Sequence, residues 1–121
     1  MIAHPDDEAM FFVPSILDLQ KKNNLYLLCL STGNADGLGR TREKELHASA
    51  KYLGFVDSHV VDDPHLQDGK DKEWESEHIA NQIRNYLTMK QGELEITFVV
   101  TFDKDGVSNH PNHIAVHHGV A

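Results

Sequence analysis

The feature that most constrains this chain is its alternation of short apolar runs with longer stretches of helical periodicity. Residues 25–30 read Leu-Tyr-Leu-Leu-Cys-Leu, a continuous apolar run. Such a run suits a strand buried on both faces, as in a parallel sheet. Glu95 to Phe102 carries Ile96, Phe98, Val99 and Val100 and predicts another buried strand; Met1 to Ala3 and His59 to Val61 supply two shorter ones. Between these runs, Phe11 to Lys21, Thr41 to Leu53 and Trp74 to Lys90 place apolar residues at helical spacing. Their stripes are Phe12, Ile16 and Leu19; then Leu46, Ala50 and Leu53; then Ile79, Ile83 and Leu87. Pro14 fits the first helix only if that helix starts close before it. Gly54 and Gly92 read as helix stops. Pro111 opens a last helix running to Ala121.

The order β-α-β-α-β-α-β-α predicts one α/β domain over residues 1–121. The expected architecture is a Rossmann-like, three-layer α/β/α arrangement with a mainly parallel sheet. The first strand is a three-residue stub and the last helix lacks a cap. Both predict a piece of a longer protein, truncated at both ends.

Composition narrows the function classes. The chain has 11 Lys and Arg against 19 Asp and Glu, a net charge of −8. A nucleic-acid backbone is a poor partner for it, because counterion release needs clustered cations. The single Cys29 excludes a disulfide framework and a cysteine zinc site, and its mid-strand position predicts an inert, buried thiol. No apolar run approaches the roughly 18 residues of a membrane span. What stands out is nine histidines. Histidine serves as a pH switch or as a metal ligand, and position must separate the two uses.

Two segments concentrate the chemistry: Ala3-His4-Pro5-Asp6-Asp7-Glu8 and Asn109-His110-Pro111-Asn112-His113. The first follows the first strand; the second follows the loop after the fourth. In a doubly wound sheet, sites gather at the carboxyl ends of strands, where the strand order reverses. If the first and fourth strands flank that point, the segments face one another. His4, Asp7 and His113 then supply the three His or carboxylate ligands of a catalytic zinc. Asp6 is the candidate general base and His110 the candidate donor to an oxyanion. Taken singly, each motif is weak: an Asp pair caps helices and a His-x-x-His pair decorates surfaces.

The first segment, extended to Ile2-Ala3-His4-Pro5-Asp6-Asp7-Glu8, resembles the signature of the PIG-L/LmbE family of zinc-dependent N-deacetylases, and the second resembles that family's His-x-x-His motif. Ala9 to Phe12, Thr41 to Leu46, Val99 to Asp103 and Gly106 to Ser108 are similar to its eukaryotic branch, the N-acetylglucosaminyl-phosphatidylinositol de-N-acetylases of GPI-anchor synthesis. The resemblance implies zinc on His4, Asp7 and His113, Asp6 as base, and a cationic His110 steadying the tetrahedral intermediate. It implies loss of acetyl from a glucosamine-containing lipid. Arg42 resembles a substrate-binding position, where a guanidinium could grip a phosphate. The eukaryotic members carry a membrane anchor and a long extension, which implies a membrane-anchored full-length protein on the cytoplasmic face of the endoplasmic reticulum.

Three alternatives stay open on the residues alone. His4-Pro5-Asp6 with a distant His also fits the facial triad of an Fe(II) oxygenase, against which the βα alternation argues. The substrate could be another acetylated aminosugar. The chain could be an inactive, truncated zinc-binding fragment. The remaining features read blandly. His47, His59, His65 and His78 are surface or partly buried residues, Trp74 is a packing residue, and the charged run from Asp68 to Glu77 is solvated. His117 and His118 have no required role. The loop from Gly33 to Gly39 lacks dinucleotide-fingerprint spacing and reads as a mobile lid or rim.

Overall fold

A computed structural model describes residues 1–90 and 95–120. Helix α1 spans Asp7–Phe11 and α2 Val13–Leu19. Strand β1 is Tyr26–Cys29, followed by a 3₁₀ turn at Asn34–Asp36 and helix α3 at Gly39–Tyr52. Strand β2 is Asp57–Val60, α4 is Ser76–Met89 and α5 is Pro111–Val120. Pro14 stands in the first turn of α2, where its missing N–H costs nothing. The helix expected over Phe11 to Lys21 is α2, and a separate short helix α1, not expected from the sequence, precedes it across a break at Phe12. Gly54 stops α3 as expected, with φ at 88° just past the helix end. Gly92, the expected stop of α4, lies outside the described residues.

β1 and β2 pair in parallel, Tyr26 opposite Asp57 through Cys29 opposite Val60. The first segment joins the other edge of β1: Ile2 N–H donates to Leu28 O at 2.9 Å, and Leu30 N–H donates to Ile2 O at 3.0 Å. Beyond it lies the fourth segment. The Met1 ammonium donates to Val100 O at 2.7 Å, and Thr101 Oγ1 donates to Met1 O at 2.9 Å. Across the layer the chain order is therefore fourth, first, second, third. The order reverses between the first and fourth segments, where the two chemical motifs were expected to meet.

The expected fourth strand does not form. Residues 95–100 belong to no strand, and Ile96, Phe98, Val99 and Val100 are exposed. An apolar run reports a capacity for burial, but a strand also needs a neighbour that offers a ladder of N–H and C=O groups. Among the described residues, the first segment meets this one only through the Met1 ammonium on Val100 O and Thr101 Oγ1 on Met1 O, with no backbone N–H to C=O ladder between them.

The sides of β1 alternate, as strand geometry requires. Leu27 and Cys29 pack with Ile2, Leu46 and Ala50, which brings α3 onto one face. Leu28 and Leu30 pack with Leu66, Trp74, Ile79, Tyr86, Phe102 and Val116, which brings α4 and α5 onto the other. Each fully buried leucine in these layers contributes about 1.5–3 kcal/mol relative to exposure. The three-layer α/β/α arrangement therefore stands. Cys29 is fully buried, its Sγ donates to Ser31 O at 3.2 Å, and burial pushes its thiol pKa far up, so it is inert. No helix of the described residues is long and apolar enough to cross a membrane.

Candidate functional site

The first motif turns sharply off the sheet. Asp6 adopts φ 88°, in the left-handed region that Asp tolerates better than most residues. Its backbone N–H donates to Glu8 Oε2 at 3.0 Å, and Glu8 is 2% exposed. Burial raises the Glu8 pKa. This kink starts α1 at Asp7, so Asp7 faces inward while Asp6 stands exposed. Asp7 Oδ2 accepts the N–H groups of Ala3 at 3.2 Å and His4 at 2.9 Å. The carboxylate is fixed by the turn it closes.

The second motif enters from α5. Pro111 opens the helix and places Asn112 and His113 on its inward face, both buried. Phe102 stacks on the His113 ring at 4.2 Å, with 4° between the planes. His113 Nδ1 lies 3.1 Å from Gly106 O, which can only accept, so the neutral ring carries its proton on Nδ1. Nε2 is left with a lone pair. It is buried without a hydrogen-bond partner, although Asp7 Oδ2 lies 3.3 Å away.

Ligand atoms of His4, Asp7 and His113 all lie within 4.8 Å of one another, and all three residues are buried. His4 Nδ1 is 3.9 Å from Asp7 Oδ2. The donor chemistry fits a divalent cation: an anionic oxygen and a partnerless imidazole nitrogen converge in a buried site. Burial alone would lower the His113 pKa, but the Asp7 carboxylate overrides it and the net shift is upward.

A second cluster shares His4. Asp68 Oδ1 lies 3.0 Å from His4 Nε2, and His4, Asp68 and His110 also form a metal-sized group. The expectation that the run from Asp68 to Glu77 is solvated fails at its first residue: the Asp68 side chain is 12% exposed. It sits in the loop after β2, at the carboxyl end of the strands, as the two motifs do. That position was its one available signal, because Asp-Gly in a polar loop otherwise reads as a turn. Asn112 was also missed. Its Oδ1 lies 2.9 Å from His4 Nε2.

His110 sits beside the pair, 4.8 Å from His4 and 4.9 Å from His113 between ring centroids. Burial, then the neighbouring His4 and His113, lower its pKa. The expected cationic form is therefore disfavoured. Its Nδ1 accepts the Asn112 N–H at 3.1 Å, which leaves the proton of the neutral ring on Nε2. Asp6 shifts the other way: burial raises its pKa, against the opposing effect of Arg42.

Arg42, on α3, ties the rim together. Nη1 donates to Gly33 O at 2.8 Å and Nη2 to Pro5 O at 2.7 Å. The same guanidinium meets Asp6 Oδ2 and Asp68 Oδ2, each at 3.3 Å. The loop from Gly33 to Gly39 is thus a fastened rim rather than a lid, and Gly39 N–H is held by Asn34 Oδ1 at 2.8 Å. Of the other histidines, His47, His65 and His118 are exposed, and His59 and His78 are half-buried. His117 Nδ1 lies 3.0 Å from Phe102 O, outside both clusters. Trp74 is 5% exposed, donates from Nε1 to Gln67 O at 2.8 Å, and sets its ring edge-on to His4 at 5.8 Å.

Comparison with known proteins places the chain in a family. The chain is 46% identical over 123 residues to a probable N-acetylglucosaminyl-phosphatidylinositol de-N-acetylase of Schizosaccharomyces pombe, covering 98% of this chain and 48% of that protein. It is 40% identical to the N-acetylglucosaminyl-phosphatidylinositol de-N-acetylase of Bos taurus, covering 98% of this chain and 46% of the relative. The fold matches a solved structure of N,N'-diacetylchitobiose deacetylase from Pyrococcus horikoshii, with a TM-score of 0.70 at 20% identity, over 98% of this chain and 46% of that one. The chain spans about half the length of the curated relatives it matches. The family described as PIG-L: GlcNAc-PI de-N-acetylase matches residues 1–121 throughout, and the chain belongs to that family.

Proposed function

We propose that this chain carries the metal centre and catalytic groups of a zinc-dependent N-deacetylase. Its substrate is N-acetylglucosaminyl-phosphatidylinositol, and its products are glucosaminyl-phosphatidylinositol and acetate. The observation that carries the reading is the convergence of His4, Asp7 and His113 at the reversal point of a chain from this family. With that substrate goes the cytoplasmic face of the endoplasmic reticulum as the setting, and a membrane-anchored full-length protein.

His4, Asp7 and His113 would hold the ion. When bound there, zinc supplies Lewis-acid polarisation and brings the pKa of water towards neutrality. The protein's own groups do the rest. Asp6, exposed and with a raised pKa, takes a proton from the attacking water. Neutral His110 offers its Nε2–H to the oxygen that gains charge as the carbonyl is attacked. Asp6 then gives its proton to the departing nitrogen as the C–N bond breaks, which releases a neutral amine and acetic acid; the acid's proton passes to the amine or to solvent and leaves acetate. Arg42 serves the substrate from the rim, with its side chain 24% exposed and its plane set by two carbonyls.

The test is acetate release from N-acetylglucosaminyl-phosphatidylinositol and from free N-acetylglucosamine, with and without a chelator. Release from the lipid that stops on chelation and returns with zinc is expected. Equal rates on both substrates would sink the lipid assignment. Zinc affinity should also depend on pH, because the ion must displace the proton that the raised His113 pKa retains. Affinity is expected to fall roughly tenfold per pH unit below that raised value, while one proton is displaced, and to level off above it. A flat titration of affinity against pH would remove His113 from the ligand set.

A further inference from the structure

Two metal-sized groups share His4, one facing Nδ1 and the other Nε2, and an imidazole that carries a proton on one nitrogen offers a lone pair only on the other. Which nitrogen is protonated therefore decides which group can bind a cation. The answer is written in the backbone around Asn112.

Asn112 is fully buried. Its amide could in principle point either way, but two backbone groups fix it. Asn112 Nδ2 donates to Lys72 O at 3.0 Å, and a carbonyl can only accept. Asn112 Oδ1 accepts the Gly69 N–H at 3.2 Å, and an amide N–H can only donate. Turning the amide over would place NH₂ against N–H and oxygen against oxygen. The same Oδ1 lies 2.9 Å from His4 Nε2. An oxygen so placed demands a proton on Nε2, and Asp68 Oδ1, 3.0 Å from the same nitrogen, demands it too. The proton of His4 thus sits on Nε2, and the Nδ1 lone pair faces Asp7.

We infer that Asn112, supported by Asp68, is a positioning residue that holds His4 as its Nε2–H tautomer and aims Nδ1 at Asp7 and His113. The consequence for binding rests on the metal reading proposed above. The group of His4, Asp7 and His113 then presents two lone pairs and a carboxylate to one point. The group of His4, Asp68 and His110 has a proton where a ligand atom would be needed, and holds no metal. The segment from Gly69 to Lys72 belongs to the centre as much as the ligands do, because it sets the amide that sets the ring. Partners of this kind typically govern ligand orientation and 10- to 100-fold in metal affinity.

The direct test reads the unaltered protein. Nitrogen-15 imidazole spectra of the metal-free protein are recorded at about pH 8, above the ordinary histidine range. The His4 signals are identified by their loss in His4→Gln. A bonded proton on Nε2 and none on Nδ1 is expected; a proton on Nδ1, alone or with Nε2, overturns the inference. Asn112→Leu extends the test. In the folded variant the Nδ1–H form should become populated, and zinc affinity, measured by chelator competition, should fall about 10- to 100-fold. An unchanged tautomer together with unchanged affinity overturns the role of Asn112. Failure of the unaltered protein to bind zinc sinks the metal reading instead, while the tautomer is still read from the metal-free spectrum.

Discussion

Asp6→Asn is expected to keep its zinc and its fold while losing about 10²- to 10⁴-fold in acetate release, the usual contribution of a positioned general base. The backbone makes this an unusually clean substitution. Asn tolerates the left-handed φ of 88° at this position at least as well as Asp. The N–H that donates to Glu8 Oε2 belongs to the main chain and survives. What is lost besides the base is the 3.3 Å pair with Arg42, and an ion pair this exposed is worth roughly 0–1 kcal/mol. Thermal melting and zinc content should therefore barely move. The pH profile adds a second readout: the Asp6 pKa is raised, so the acidic limb of activity in the unaltered enzyme should lie above the ordinary aspartate range. That limb should vanish from the residual activity of Asp6→Asn. Full turnover in the variant would strip Asp6 of its role.

Asp7→Ala should be more damaging and in a different way. Asp7 Oδ2 closes the turn by accepting two backbone N–H groups, and it also sits 3.3 Å from His113 Nε2. Its removal leaves the Ala3 and His4 N–H groups buried and unpaired, at about 1–3 kcal/mol each. A fall of several degrees in the melting temperature of the metal-free protein is expected. Zinc affinity should fall by more than the roughly 10- to 100-fold that follows loss of a supporting residue, because a ligand and the only negative charge among the three ligands go together. Asp7→Asn separates the two effects. It retains an acceptor for the turn and removes the charge, so stability should largely return and zinc should not. Calorimetry and chelator competition on both variants make the distinction. Recovery of zinc binding in Asp7→Asn would mean that the carboxylate serves the turn alone.

Much of this arrangement was legible in the chain, and the limits of legibility have physical causes. His4, Asp7 and His113 could be found because proline and adjacent chemical residues mark strand ends in a βα pattern, and the fold brings those ends together. Helices α2, α3 and α4 were legible from their stripes to within a few residues, although Leu87 of the last stripe is exposed; α5 was legible from Pro111, and α1 was not foreseen. The strand expected at Glu95 to Phe102 was not, because hydrophobicity says nothing about the neighbour a strand must pair with. Asp68 and Asn112 were invisible for a different reason. Both act on His4 across large separations in the chain, and nothing local distinguishes a carboxylate under a histidine from one in water. The charge state of His110 could not be read either, since it follows from burial and from two other imidazoles.

Trp74 carries one more consequence. It is the sole tryptophan of the sequence, and its ring lies edge-on to His4 at 5.8 Å, buried from solvent. The tryptophan fluorescence of the chain therefore originates beside the proposed metal ligands. Loading an ion, changing the protonation of His4 or disturbing the Asn112 amide all alter the electrostatic surroundings of one indole. The protein should therefore be its own optical reporter: with an ion bound as proposed, its tryptophan emission is expected to follow the occupancy of the centre without an added label.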